Sequence, residues 1–293
     1  MFVATSGAWF ISVGAIKISK LVGVFYMMNK PGSPTGLRLR RIIFGCVSAV
    51  SYTCAVASGH AETESGGAFF EGFDQLSANR WLVSDGWTNG PHQNCTWSRS
   101  AVSLSDGSLN LAFKPTENST LNLCGELQSR AVFSYGTFEA RLRTPQGSGL
   151  NAAFFTYIGP TSKKPHDEID FEVLTKDTSH VSLNTFVDGK PQNGAVVPVV
   201  PNTSTDFHTY AFEWSPDQLQ WFVDGRLVHS ATTSLPVNPQ KIFLSFWGSD
   251  TLSDWMGPFV RPDQPLIMQV DWVAFTPLGS PCAFPESILC HPQ

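Results

Sequence analysis

From Glu168 to Val173 the sequence reads Glu-Ile-Asp-Phe-Glu-Val, carboxylates alternating with bulky apolar residues. Alternation at period two belongs to an extended strand, whose successive side chains point to opposite faces. Glu168, Asp170 and Glu172 then share one face, and Ile169, Phe171 and Val173 share the other. A helix would also bring Glu168 beside Glu172, but it would turn Asp170 to another side. The β-branched and aromatic residues between the acids favour the strand.

The rest of the chain has the same character. From Gly66 to Pro277 short apolar or alternating runs are cut by turn signals, and no long stretch has helical periodicity. Asp106-Gly107, Asp188-Gly189 and Asp224-Gly225 each stand between such runs, and Asp-Gly in that setting is a strong hairpin signal. The expectation is one all-β domain, most simply a two-sheet sandwich, because so many strands must bury one face against another.

Three like charges on one strand face repel, so their collection calls for a reason. On the strand the Glu168 and Glu172 Cα atoms stand roughly 13 Å apart, at about 3.3 Å per residue. Side chains leaning together would bring the carboxyl groups to roughly 5–6 Å, the spacing of a retaining glycosidase pair, whereas an inverting pair stands farther apart. Clustering also requires at least one of the three to hold a proton at neutral pH, and one acid with one base is what acetal cleavage needs. The competing reading is a solvated acidic edge strand.

Composition narrows the partners. Only 15% of the residues are charged and 12% are aromatic, which suits a sugar-stacking β protein, and no basic stripe invites nucleic acid. Residues 1–61 do not resemble part of the fold. Arg38, Arg40 and Arg41 precede the apolar run Ile42 to Ala57, and Ala55-Val56-Ala57 and Gly59-His60-Ala61 are candidate cleavage sites, the pattern of a secretory signal. The run of about 16 residues is shorter than the roughly 20 of a membrane span, so no membrane partner is expected once the signal is removed. Translation from Met27 or Met28 would give that signal a normal length and make residues 1–27 an upstream extension.

Cys46 and Cys54 fall in the signal, leaving Cys95, Cys124, Cys282 and Cys290 in the exported chain. An even number in an exported protein implies disulfides. We expect Cys95–Cys124 and Cys282–Cys290, the latter because no other cysteine lies near the C-terminal tail. Free buried thiols are the alternative. The expected organisation is the signal region 1–61, a domain over 62–277 and a disulfide-containing tail over 278–293, in a secreted monomer.

Ala153-Phe154-Phe155-Thr156-Tyr157 just before the acidic strand, Asn184 just after it, and Trp247 and Trp255 farther on have the character of cleft residues, since aromatic faces stack on sugar rings. With Gly67-Ala68-Phe69-Phe70-Glu71, Asn94-Cys95-Thr96-Trp97, Tyr135-Gly136-Thr137-Phe138-Glu139, His208-Thr209-Tyr210 and Trp221-Phe222-Val223-Asp224-Gly225 in this order around Asp167-Glu168-Ile169-Asp170-Phe171-Glu172, the chain resembles the family 16 glycoside hydrolases. Within them it resembles the bacterial lichenases, endo-β-1,3-1,4-glucanases, from about Gly66 to Thr276. The resemblance implies a concanavalin-like jelly-roll sandwich of two bent antiparallel sheets with a substrate cleft across the concave one. It implies Glu168 as nucleophile, Glu172 as general acid and base, and Asp170 as the residue that orients the nucleophile and tunes both pKa values. Sugar-binding positions map onto Asn89, Glu126, Tyr157, Asn184, Trp247 and Trp255, and the family's disulfide maps onto Cys95–Cys124. No cofactor is implied for catalysis. Many members hold a structural calcium on the convex side, and the matching positions are Gly72, Gly107 and Asp271.

The departures bear on substrate. His166 stands where lichenases usually carry Trp, Gln128 where they carry Arg, and Phe186 where they carry Tyr. His-Asp-Glu-Ile-Asp-Phe-Glu is also the form in plant xyloglucan endotransglycosylases and in secreted rhizobial glycanases that cut succinoglycan. The expected function is a secreted retaining endo-β-glucanase acting on β-1,3-1,4-glucan or a related bacterial exopolysaccharide such as succinoglycan. A xyloglucan-type transglycosylase and a non-catalytic lectin are the alternatives. A metal hydrolase built on His166, Asp167 and Glu168 is disfavoured, since strand neighbours point to opposite faces.

Overall fold

Asp-Gly pairs tighten three hairpins because both central residues of each turn have positive φ: Asp106 and Gly107 at 53° and 70°, Asp188 and Gly189 at 51° and 72°, Asp224 and Gly225 at 50° and 75°. These are type I′ turns, whose twist matches that of the strands they join. The computed structural model describes residues 66–117 and 122–291; the expected signal region, with Met28 and the cleavage sites, lies outside the described residues.

Sixteen strands are described. In chain order they are β1 (Phe69–Glu71), β2 (Trp81–Val83), β3 (Cys95–Trp97), β4 (Val102–Ser105), β5 (Ser108–Lys114), β6 (Asn122–Ser129), β7 (Gly136–Arg143), β8 (Leu150–Ile158), β9 (Asp167–Leu174), β10 (His180–Val187), β11 (Lys190–Pro198), β12 (His208–Trp214), β13 (Leu219–Val223), β14 (Arg226–Ala231), β15 (Lys241–Gly248) and β16 (Leu266–Pro277). The one α-helix among the described residues is the single turn Ser253–Met256.

The strands form an all-β jelly-roll sandwich. One sheet runs β11-β10-β9-β8-β15-β6 with β2 beyond it, and the back sheet runs β5-β16-β7-β12-β13-β14. β6 serves both. Leu123 and Cys124 pair with β5, while Gly125 to Gln128 pair with β15. Gly125 marks the switch, where a Cβ would stand 2.7 Å from the Ala101 carbonyl oxygen, so only glycine lets the strand pass that close. The expected disulfides are both present. Cys95–Cys124 is fully buried and ties β3 to β6 beside the switch. Cys282–Cys290 closes the tail, which docks on the back sheet: Ser287 Oγ donates to Glu139 Oε2 at 2.6 Å and the Ile288 amide donates to Oε1 at 2.9 Å.

The acidic strand is β9, and it is not an edge: β8 pairs along one side and β10 along the other. The solvated-edge reading therefore fails. Ile169, Phe171 and Val173 are buried. Phe171 lies parallel to Phe154 with centroids 6.3 Å apart, Phe154 meets Phe212 of the back sheet at 5.8 Å, and Phe212 stacks on Phe138 at 4.8 Å. Each buried side chain of this size contributes about 1.5–3 kcal/mol. A one-residue slip of β9 would drive its carboxylates into this layer, so the aromatic packing fixes which face the acids occupy.

Phe171→Ala is expected to lose about 3–5 kcal/mol of stability in urea titration. Val200→Ala, at a side chain 84% exposed, should stay within about 0.5 kcal/mol.

Candidate active site

Strand register converts residues far apart in sequence into rows across one sheet face. Phe186, Glu168, Tyr157 and Lys241 form one row, and Asn184, Asp170, Phe155, Phe243 and Gln128 the next. Ser182, Glu172, Ala153, Ser245 and Glu126 form a third. The acids stand in the middle of this face. A cleft of about 620 Å³ opens on the β15 side of them and another of about 600 Å³ on the β10 side, and Glu168, Asp170 and Glu172 line both.

At the Glu172 end Trp247 and Trp255 face each other with ring centroids 6.4 Å apart. At the Glu168 end His166 lies flat on Phe186, and Tyr157 meets it edge-on at 5.1 Å. The two ends are thus walled by rings, while the floor between them is acidic.

Crowding separates the acids' proton affinities. Burial, then the charges of Glu168 and Glu172, hold the Asp170 carboxyl well above the usual aspartate range, and its side chain hydrogen-bonds Glu168. Burial raises Glu172 to about 7; the Glu168 charge adds to the rise, and a 2.7 Å hydrogen bond from Asn151 Nδ2 opposes it. A carboxyl near 7 can hold a proton and release it at neutral pH, as a general acid must. The rise at Asp170 works the same way, since a proton held there reduces the repulsion along the row.

Another buried carboxyl lies on the same face. Burial raises Glu126 to about 7 against a 2.5 Å hydrogen bond from Ser84 Oγ, which in turn accepts from Gln128 Nε2 at 3.1 Å.

The comparisons with known proteins agree with this geometry. The family described as "Glycosyl hydrolases family 16" matches residues 89–274. The chain belongs to that family. It is 50% identical over 227 residues, 76% of this chain and 84% of the relative, to the endo-1,3-1,4-beta-glycanase ExoK of Rhizobium meliloti. It is 34% identical to a Bacillus subtilis beta-glucanase over 81% of this chain and 98% of that one. The solved Bacillus licheniformis beta-glucanase superposes with a TM-score of 0.70 at 35% identity, over 73% of this chain and 99% of that one. A glycoside hydrolase needs no catalytic cofactor.

In this family-16 enzyme every expected sugar-binding position reaches the acidic face. Asn89, Glu126, Tyr157 and Trp247 line the cleft on the β15 side, and Asn184 and Trp255 line the other. Asn89 Oδ1 accepts from Trp97 Nε1 at 3.1 Å, which orients its amide. The expected calcium positions are at the back sheet. Gly72 and Asp271 line a pocket with Arg141, whose guanidinium pairs with the Asp271 carboxylate; Gly107 is outside that lining. His166, Asp167 and Glu168 do not converge. Asp167 turns away and accepts from the Val237, Asn238 and Asp188 amides and from the Asn238 side chain.

Asn151 is the main residue the sequence reading passed over. Counting back by twos from Tyr157 would have found it, since it is a lone polar side chain in phase with Phe155 and Ala153. Trp87 and His92 also line the cleft. They come from a loop ahead of β3, and no sequence signal marks them.

The raised carboxyls make stability depend on pH. Below about 4.5 Glu172 is protonated in the folded and unfolded chain alike, and its burial then costs no charge. Between about 4.5 and about 7 the unfolded chain ionises while the folded chain keeps the buried group protonated, so stability falls as pH rises across that window. Glu172→Gln should raise the unfolding free energy at pH 8 by an amount on the order of 1–3 kcal/mol, seen as a higher melting temperature, and leave both nearly unchanged at pH 4.

Proposed function

We propose that this enzyme is a retaining endo-β-glycanase that cuts β-1,3-1,4-linked glucan or a related bacterial exopolysaccharide such as succinoglycan. The carrying observation is that the acidic row lines both clefts, so a glycan lying across the sheet presents an internal bond to it. A Glu168 oxygen attacks the anomeric carbon while Glu172 protonates the departing oxygen, giving a glycosyl ester. Glu172 then takes a proton from water, which displaces Glu168. Asp170, whose hold on a proton burial and its neighbours strengthen, donates to Glu168 and limits the charge between the two glutamates.

Asn89, Glu126, Tyr157 and Trp247 bind sugar on one side of the scissile bond, and Asn184 and Trp255 on the other. The aromatics offer stacking faces, and the amides and Glu126 offer hydrogen bonds to hydroxyls. The ExoK relative, named as an endo-1,3-1,4-β-glycanase, supports the linkage. The altered residues His166, Gln128 and Phe186 support a substrate other than linear cereal glucan. The disulfides support an extracellular or periplasmic location for a monomer freed of its signal.

The calcium implied by the resemblance would rest on Asp271 with backbone oxygens of Gly72 and Gly107. The guanidinium of Arg141 already neutralises that carboxylate, so these residues fit a divalent cation poorly, and no step of the reaction runs through one.

Glu168→Ala should lose at least about 10³-fold in reducing-sugar release, since no covalent intermediate can form. Product analysis across lichenan, laminarin, xyloglucan and succinoglycan is the test of substrate. The absence of new reducing ends with all four would overturn the proposal, and binding without cleavage would favour a lectin. A chelator should leave both turnover and melting temperature unchanged; a lowered melting temperature that calcium restores would show that the ion displaces Arg141.

A further inference from the structure

Two of the three departures from the lichenase pattern, His166 and Phe186, touch each other. Their rings stack at 4.7 Å with planes 17° apart. The imidazole also meets Tyr157 edge-on at 5.1 Å, and the His166 backbone is pinned where its carbonyl accepts from the Gly189 amide at 2.8 Å, in the β10–β11 turn. So restrained, the ring aims Nε2 at Glu168 Oε2, 2.5 Å away. With Glu168 ionised the nitrogen must be the donor. His166 immediately precedes β9 and stands two residues from Glu168, and the neighbouring rings set the direction of the contact.

On the proposed assignment of Glu168 as nucleophile, on which this inference rests, a donor there acts oppositely on the two halves of the reaction. In the first, an electron pair of Glu168 forms the bond to the anomeric carbon, the glycosidic bond breaks, and the leaving oxygen takes the Glu172 proton. The carboxylate charge disappears, so a hydrogen bond that favours the anion holds this step back. In the second, water loses a proton to Glu172 and attacks the same carbon, and Glu168 departs with its electron pair. The charge returns, and the same hydrogen bond stabilises it.

We propose that His166 is a positioning residue for Glu168 that speeds breakdown of the glycosyl-enzyme, with Phe186 and Tyr157 holding its ring to that task. A charge-assisted hydrogen bond of this kind corresponds to about 10–100-fold in a rate.

The test is stopped-flow kinetics with an aryl β-glycoside of a glucan oligosaccharide whose phenol leaves readily, so that formation of the ester is fast. His166→Ala should slow breakdown at least about tenfold, giving a burst of phenol approaching one per enzyme and lowering kcat and KM together. His166→Gln, which keeps an N–H donor, should recover part of the breakdown rate. A wild-type burst and kcat in His166→Ala would overturn the inference. So would a loss in both steps that Gln fails to recover in a variant whose melting temperature is unchanged. Glu168→Ala is run beside them. If it still turns over, the assignment of Glu168 falls and takes this inference with it; if it is inactive while His166→Ala behaves as wild type, this inference alone falls.

Discussion

Holding three carboxyls side by side on a half-buried strand face is unfavourable, and the rest of the structure supplies what makes it tolerable. The opposite face of β9 contributes Ile169, Phe171 and Val173 to the core, where Phe171 joins a ring stack that crosses both sheets. That packing cannot be kept if the strand slips or turns over. The repulsion is then relieved by protons rather than by separation. Burial and its neighbours raise Asp170 well above the usual aspartate range, and Glu172 titrates near neutrality. Stability and reactivity are therefore coupled through one strand: the core's grip on one face lets the other hold groups that would prefer to be apart.

The surroundings of the acids are differentiated along the strand. Glu172 has a single short amide donor, Asn151, and a pair of tryptophans beyond it. Glu168 has an imidazole fixed between aromatic rings. Two glutamates of identical chemistry thus meet different neighbours, and burial lets Glu172 hold a proton near neutrality. The remaining departure, Gln128, reaches Glu126 through Ser84, so the changes from the lichenase pattern alter the surroundings of the acidic row and not its three carboxylates.

On the back sheet a comparable economy appears at Asp271. Arg141 meets its carboxylate directly and packs over Phe207 with 4.8 Å to the ring centroid. The tail meanwhile covers Glu139, which burial holds above the usual glutamate range despite donors from Ser287 and Ile288. Asp271 and Glu139 are each answered from within the chain.

Local pattern was enough for much of this. Period-two alternation gave β9 and its two faces, Asp-Gly gave the three hairpins, and cysteine parity gave both disulfides, because each depends on backbone geometry within a few residues or on simple pairing. The motif order carried the family and six positions that line the two clefts. Other features are set by register between strands remote in sequence, and no local pattern encodes that. The sequence by itself left open whether the acidic strand was an edge or an interior one, and only the pairing of β8 and β10 on its two sides decided it. Tertiary structure alone brought Trp87 and His92 over the cleft, set Asn151 against Glu172, and put Arg141 on Asp271. The reason is physical: alternation dictates which way a side chain points, but what it meets there depends on the sheet assembled around it.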